Sequence, residues 1–174
     1  VQAIAGTKTH VVDSRKTIPG LRLAQKYAVR VGGGANHRVG LYDGILIKEN
    51  HIATAGGVTA ALKDAYAIVA APDVAARPEA PFIQIEVERL DQLTEALQAG
   101  AKMVLLDNMT HEQIAEAVRI NRDQFNGQAV LEVSGNVSLD NIRSYAELGV
   151  DRISSGSLTK HIRATDYSMR VNAV

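Results

Sequence analysis

The chain has 174 residues, 46% of them apolar, with 19 Lys and Arg balancing 19 Asp and Glu and no cysteine. That length builds one domain with a real core, and no stretch approaches the roughly 18 apolar residues that cross a bilayer. Without cysteine there are no disulfides, thiolate nucleophiles or thiolate metal ligands, and a net charge of zero gives no support for a nucleic-acid or membrane partner. The first residues do not resemble a signal peptide, so a cytoplasmic setting is expected.

In chain order, "HVVDSRK" (10–16) reads as a strand that ends on Arg15 and Lys16, followed by a Pro-Gly turn and a helical pattern over "LRLAQKYAV" (21–29). "VGGGANHRVGLYDG" (31–44) puts three glycines before Asn36, His37 and Arg38, a poor core but a segment able to present an imidazole and a cation. A second strand, "GILIKEN" (44–50), carries Lys48 at its tip, and "GVTAALKDAYAIVAA" (57–71) has helical spacing. "APDVAARPEAP" (71–81), rich in proline, reads as a connecting loop.

Strands then alternate with helices: "FIQIEVE" (82–88), "LDQLTEALQAG" (90–100), "MVLLDN" (103–108), "THEQIAEAVRINRDQF" (110–125), "AVLEVSG" (129–135), "LDNIRSYAELG" (139–149) and "RISSGS" (152–157). Thr110 with Gln113 and Ser138 look like helix N-caps, and Gly100 and Gly149 like helix stops. This alternation means repeated βα units and a parallel sheet. The successive tips read Lys16, Lys48, Glu86, Asp107, Ser134 and Gly156. Polar residues at every tip favour a barrel, whose sites collect at the C-terminal ends of many strands, over an open sheet, which concentrates them at one switch point.

Charge is unevenly spread. Residues 8–51 carry eight Lys or Arg against three Asp or Glu, and residues 79–140 carry eleven Asp or Glu against four Lys or Arg. Arg15, Lys16, His37, Arg38 and Lys48 are more positive charge than one phosphate needs, which implies a polyanionic substrate or two anionic substrates in one pocket. Period-two alternation puts Glu86 on a face with Gln84 and Glu88, Asp107 on a face with Leu105, and Lys48 with Leu46. Glu86 and Asp107, ending successive strands, would suit Mg²⁺ or would stabilise a developing positive charge. "VSGNVS" (133–138) and "ISSGSLTK" (153–160) each set a glycine after a strand and before a helix, where backbone can approach a phosphate. There is no nucleophile elbow, no dinucleotide fingerprint after a strand and no Walker lysine, and aromatics are too few for a nucleic-acid platform.

Six motifs in order, "DSRKTIPGLR" (13–22), "GGGANHRVGLYDGILIKENHI" (32–52), "IEVE" (85–88), "LLDNM" (105–109), "EVSGN" (132–136) and "ISSGSLTKH" (153–161), resemble the quinolinate phosphoribosyltransferase family, or nicotinate-nucleotide pyrophosphorylase (carboxylating). The resemblance runs essentially end to end. It implies an α/β fold, an incomplete TIM-like β/α barrel of parallel strands filling residues 1–174. It also implies a transferase that makes nicotinate mononucleotide, pyrophosphate and CO₂ from quinolinate and phosphoribosyl pyrophosphate, with Mg²⁺, in NAD biosynthesis. Motif by motif, Arg15, His37, Arg38 and Lys48 match positions around the quinolinate carboxylates, and Lys16 matches a lysine near phosphoribosyl pyrophosphate. Glu86 and Asp107 match the acidic pair near ribose and metal, and Ser134, Gly135 and Gly156 match phosphate-loop positions. Lys160 stands where many members have His, with His161 next, and both are assigned to the substrate site. Family members also carry an N-terminal α/β sandwich domain, so the chain is expected to be a fragment of a two-domain protein. That protein would be a homodimer whose N-terminal domain covers the partner's barrel mouth. The competing readings are a phosphoribosyltransferase for another heterocyclic acid and a non-catalytic anion-binding barrel.

Overall fold

A computed structural model describes residues 1–172. After a short 3-10 turn at Gln2–Ile4 the chain runs β1 (His10–Val12), α1 (Arg22–Val31), β2 (Gly44–Ile47), α2 (Glu49–Ala55), α3 (Val58–Ala70), α4 (Pro72–Ala75), β3 (Phe82–Val87), α5 (Leu90–Gln98), β4 (Met103–Asp107), α6 (His111–Phe125), β5 (Val130–Ser134), α7 (Ile142–Glu147), β6 (Arg152–Ser154) and α8 (Ser157–Lys160). All neighbouring strands are parallel, in the order β1-β6-β5-β4-β3-β2. Between the two outermost strands, the backbone at Ala35 donates to Val11 O at 2.8 Å and accepts from Asp13 N at 3.1 Å, so the post-glycine segment lies along β1 where a further strand would stand. The chain is therefore the expected α/β fold of parallel strands, with an incomplete barrel seam.

Alternation along each strand sorts its side chains to two different places. Ile85 and Val87, Val104 and Leu106, Leu131 and Val133, and Ile153 face outward and form the core with Leu62, Leu93, Leu97 and Ile114 of the covering helices. Each fully buried Leu or Ile contributes about 1.5–3 kcal/mol. The other face looks inward and is largely polar. Across it Gln84 of β3 reaches Glu132 of β5 at 3.1 Å, passing over β4, and His37 reaches Gln84 at 2.6 Å. Such contacts need a sheet curled back on itself.

Several element readings change: Ser138 is not an N-cap, since α7 starts at Ile142 with Asn141 before it, and β6 stops at Ser154, with Ser157–Lys160 forming α8. β1 stops at Val12 rather than Lys16, because Asp13 turns inward as a buried ion-pair partner of Lys26 at 2.6 Å. β2 stops at Ile47, and Lys48 caps an unexpected helix, its N–H donating to His51 Nδ1 at 2.9 Å. That helix ends at Gly56 and Gly57, whose φ of +88° and +140° only glycine adopts readily. The proline-rich 71–81 stretch is not loop throughout, since Pro72 opens the one-turn helix α4. The Thr110–Gln113 capping box forms as read, with Gln113 N donating to Thr110 Oγ1 and Thr110 N to Gln113 Oε1 at 2.8 Å. Among the described residues no helix is long and apolar enough to cross a membrane.

Candidate active site

The C-terminal ends of the strands open into a cavity of about 710 Å³. All twelve residues singled out from the sequence line it. Arg15, His37 and Arg38 form one wall, Lys48, Glu86 and Asp107 stand at the tips of β2 to β4, and Ser134, Gly135, Gly156, Lys16, Lys160 and His161 close the remaining side. Sequence reasoning passed over Asp13, Asn108, Glu132 and Asn136, which line it as well.

The cationic wall hangs on a buried ion pair. Asp13 is fully buried and Lys26 is 3% exposed. Asp13 Oδ1 accepts from Lys26 Nζ at 2.6 Å and from the His37 N–H at 2.8 Å, and its Oδ2 accepts from Asn36 Nδ2 at 2.7 Å. Lys26 also donates to His37 O at 2.9 Å, so β1, α1 and the post-glycine segment are locked together directly beneath the wall. Above this anchor Arg38 donates to Gly44 O at 3.2 Å. Burial, and next the charge of Arg15, push the Arg38 guanidinium below its ordinary value, with Asp43 opposing. Two guanidiniums close enough to repel would be favoured by an anion placed between them.

At the strand tips, β3 and β4 pair Glu86 with Leu105, which puts Asp107 one pleat further along the same inner face. Lys48 Nζ donates to Glu86 Oε1 at 3.1 Å. Asp107 accepts from Ser134 Oγ at 2.6 Å and from Asn108 Nδ2 at 3.1 Å. Burial first, then the charges of Asp107 and Glu49, raise the Glu86 carboxyl, while Lys48 pulls it down. The folded state therefore holds the Glu86 proton to higher pH than the unfolded chain does. Its ionisation costs stability as pH rises from the ordinary value of 4.5 through the raised one. A carboxyl-carbon NMR titration should place the Glu86 midpoint above 4.5. Lys48→Met should move it higher still, and a midpoint unchanged by that substitution would show that the ammonium does not reach the carboxylate.

The third corner exposes bare backbone. A Cβ on Gly156 would sit 3.3 Å from Lys16 Cδ and 3.6 Å from Lys160 Cε, so two lysine stems flank an uncovered main chain. Thr159 Oγ1 donates to Lys16 O at 2.7 Å and ties α8 to the turn after β1. Gly135 has φ +93°, and a Cβ there would meet Asn108 Oδ1 at 3.0 Å, so any side chain at this crossing of two loops would be strained. Exposed backbone between two ammonium groups suits phosphate.

Fold and site together define an incomplete α/β barrel whose mouth joins a guanidinium wall, a carboxylate pair and a lysine-flanked glycine corner. The model of the family "Quinolinate phosphoribosyl transferase, C-terminal domain" matches residues 1–170, and the chain belongs to that family. It is 45% identical over 169 residues to the nicotinate-nucleotide pyrophosphorylase [carboxylating] of Mycobacterium leprae, covering 97% of this chain and 56% of that protein. It is 38% identical over 172 residues to the human protein of the same name, covering 97% and 54%. The solved nicotinate-nucleotide pyrophosphorylase of Francisella tularensis superposes with a TM-score of 0.82 at 48% identity, over 94% of this chain and 54% of that one. The chain spans about half the length of the curated relatives it matches.

Proposed function

We propose that the protein containing this chain transfers the phosphoribosyl group of phosphoribosyl pyrophosphate to quinolinate, giving nicotinate mononucleotide, pyrophosphate and CO₂. The observation that carries this reading is the meeting, in one mouth, of a cation wall short of counter-charge and a separate lysine-flanked phosphate corner, with a carboxylate pair between them. A dicarboxylate fits the first and a phosphorylated sugar the second. Family membership supports the same pair of substrates.

Arg15, Arg38 and Lys48 orient the two quinolinate carboxylates, while Lys16, Lys160, His161 and the backbone at Ser134, Gly135 and Gly156 hold phosphate oxygens. The pyridine nitrogen then attacks C1 of the ribose as the bond from C1 to pyrophosphate breaks. Positive charge grows on the sugar in the transition state, where Glu86 and Asp107 face it. Once the ring nitrogen is cationic, the carbon–carbon bond to the adjacent carboxylate breaks as CO₂ leaves, and the electron pair left on the ring carbon takes a proton from water. Positioning and fixed charge supply most of the acceleration in this scheme.

Among the described residues no group of three or more His, Cys, Asp or Glu encloses a metal. Glu86 and Asp107 alone still fit Mg²⁺, which commonly takes one or two carboxylates and completes its octahedron with water and substrate phosphates. When bound, the ion would offset charge on the departing pyrophosphate. His37 is part of the same wall, although both its ring nitrogens are engaged within the protein.

A homodimer belongs to the proposal. Leu23, Tyr27 and Val31 form an exposed apolar stripe along α1 beside the open mouth, a surface suited to burial against a second copy. A cytoplasmic setting belongs to it too, since both substrates are charged and water-soluble. The test is incubation of the full-length protein with quinolinate, phosphoribosyl pyrophosphate and Mg²⁺. Nicotinate mononucleotide is the expected product. Its absence at every protein concentration, with the protein folded, overturns the reading in favour of another acceptor acid or a plain anion-binding barrel.

A further inference from the structure

We propose that Glu132 is a positioning residue for the cation wall: through Gln84 it fixes which nitrogen of the His37 ring carries the proton, and through that ring it holds the backbone of Arg38. The role assigned to the wall rests on the phosphoribosyl-transfer reading; the hydrogen-bond polarity does not.

Glu132 is fully buried in the barrel interior below the mouth. An ionised carboxylate only accepts hydrogen bonds, so the Gln84 group 3.1 Å from Glu132 Oε2 must be the amide NH₂. That choice turns Gln84 Oε1 toward His37 Nε2, 2.6 Å away, where a carbonyl oxygen requires a donor. His37 is thereby the Nε2–H tautomer, and its Nδ1 is free to accept from the Arg38 N–H at 2.8 Å. A reversed amide would place a proton on Nδ1, facing the Arg38 N–H donor to donor. The carboxylate at one end and the Arg38 N–H at the other thus demand the same direction of the three successive hydrogen bonds. The peptide groups of His37 are fixed separately by Asp13 and Lys26, so Glu132 governs the ring and the residue after it.

The surroundings agree with a neutral ring. Burial is the leading influence and lowers the imidazole below its ordinary value of 6.5; Arg152 and Arg38 act in the same direction, and Glu132 and Gln84 oppose it. Among the described residues Glu132 Oε1 has no hydrogen-bond partner; it lies 3.8 Å from His37 Nε2, and Arg152 Nε stands 3.7 Å from Oε2. Such an arrangement commits the carboxylate's one short contact to Gln84.

Ring-nitrogen NMR of the full-length protein near pH 7, without ligand, should show His37 as the Nε2–H tautomer. Glu132→Gln can offer either end of its amide and no longer enforces that direction, so the Nδ1–H tautomer should appear beside the other, at the cost of the hydrogen bond from the Arg38 N–H. Quinolinate should then bind about tenfold more weakly, the factor for one lost hydrogen bond, while phosphoribosyl pyrophosphate affinity stays unchanged. Adding Gln84→Glu to that variant restores an acceptor-only group facing both neighbours and should recover the tautomer and most of the affinity, which a role in packing alone would not predict. If Glu132→Gln does not fold, Gln84→Met, which keeps Glu132 beside Arg152, takes the same two readouts. A wild-type ring protonated on Nδ1, or a variant that keeps both tautomer and quinolinate affinity, overturns the proposal. Failure of the wild-type protein to bind quinolinate would instead count against the proposed substrate, because the tautomer is read without it.

Discussion

Asp13→Ala should lower the unfolding free energy by about 3–5 kcal/mol, the usual cost of leaving one half of a buried ion pair alone. Lys26, at 3% exposure, would keep an ammonium with one carbonyl for company, the His37 N–H would lose its acceptor and the Asn36 amide one of its two. Urea denaturation of the folded chain measures the loss. Adding Lys26→Met should recover only part of it, because two of the three donors to Asp13 remain. A loss below about 1 kcal/mol would put the pair in the class of exposed, hydrated ion pairs and contradict its burial.

Asp107→Asn should reduce turnover by the full-length protein on the order of 10²–10³-fold, the size found when one fixed electrostatic partner of a transition state is removed. Its neighbours Ser134 and Asn108 are not buried, and an amide keeps the shape, so the melting temperature should hold. Loss of rate with quinolinate affinity preserved is the expected pattern, because the charge it faces exists only once the bond to pyrophosphate is breaking, while phosphoribosyl pyrophosphate affinity should fall only as far as Asp107 helps to hold Mg²⁺. Turnover near the wild-type value would remove Asp107 from the chemistry and leave Glu86 to act without it.

The inner and outer faces of the sheet were legible because period-two alternation is a purely local signal: it placed Glu86 with Gln84, and Asp107 with Leu105, on the face that turned out to line the interior. The βα rhythm was legible for the same reason. α2 was not, since its seven residues bury only Ile52 and offer no apolar period to read. The Asp13–Lys26 pair was hidden for a different reason. Asp13 reads as one more polar residue in a strand tail and Lys26 as one more cation on a helix, and only the packing of α1 against the segment after β1 makes them partners. Glu132 carried a clue that went unused, its place two residues before Ser134 on the same face. Its significance depends on Gln84 reaching it across an intervening strand, which no spacing along the chain reveals.

Among the strands of the described residues, β1 pairs only with β6, the last of the six to be made. During synthesis the ribosome therefore releases β1 with an open edge, able to join another nascent chain, long before its proper neighbour emerges. The lysine-flanked corner at Gly156 needs both ends of this delay to finish, so it is assembled last. A pause or truncation late in translation would leave most of the hydrophobic layer formed and the anion site unmade.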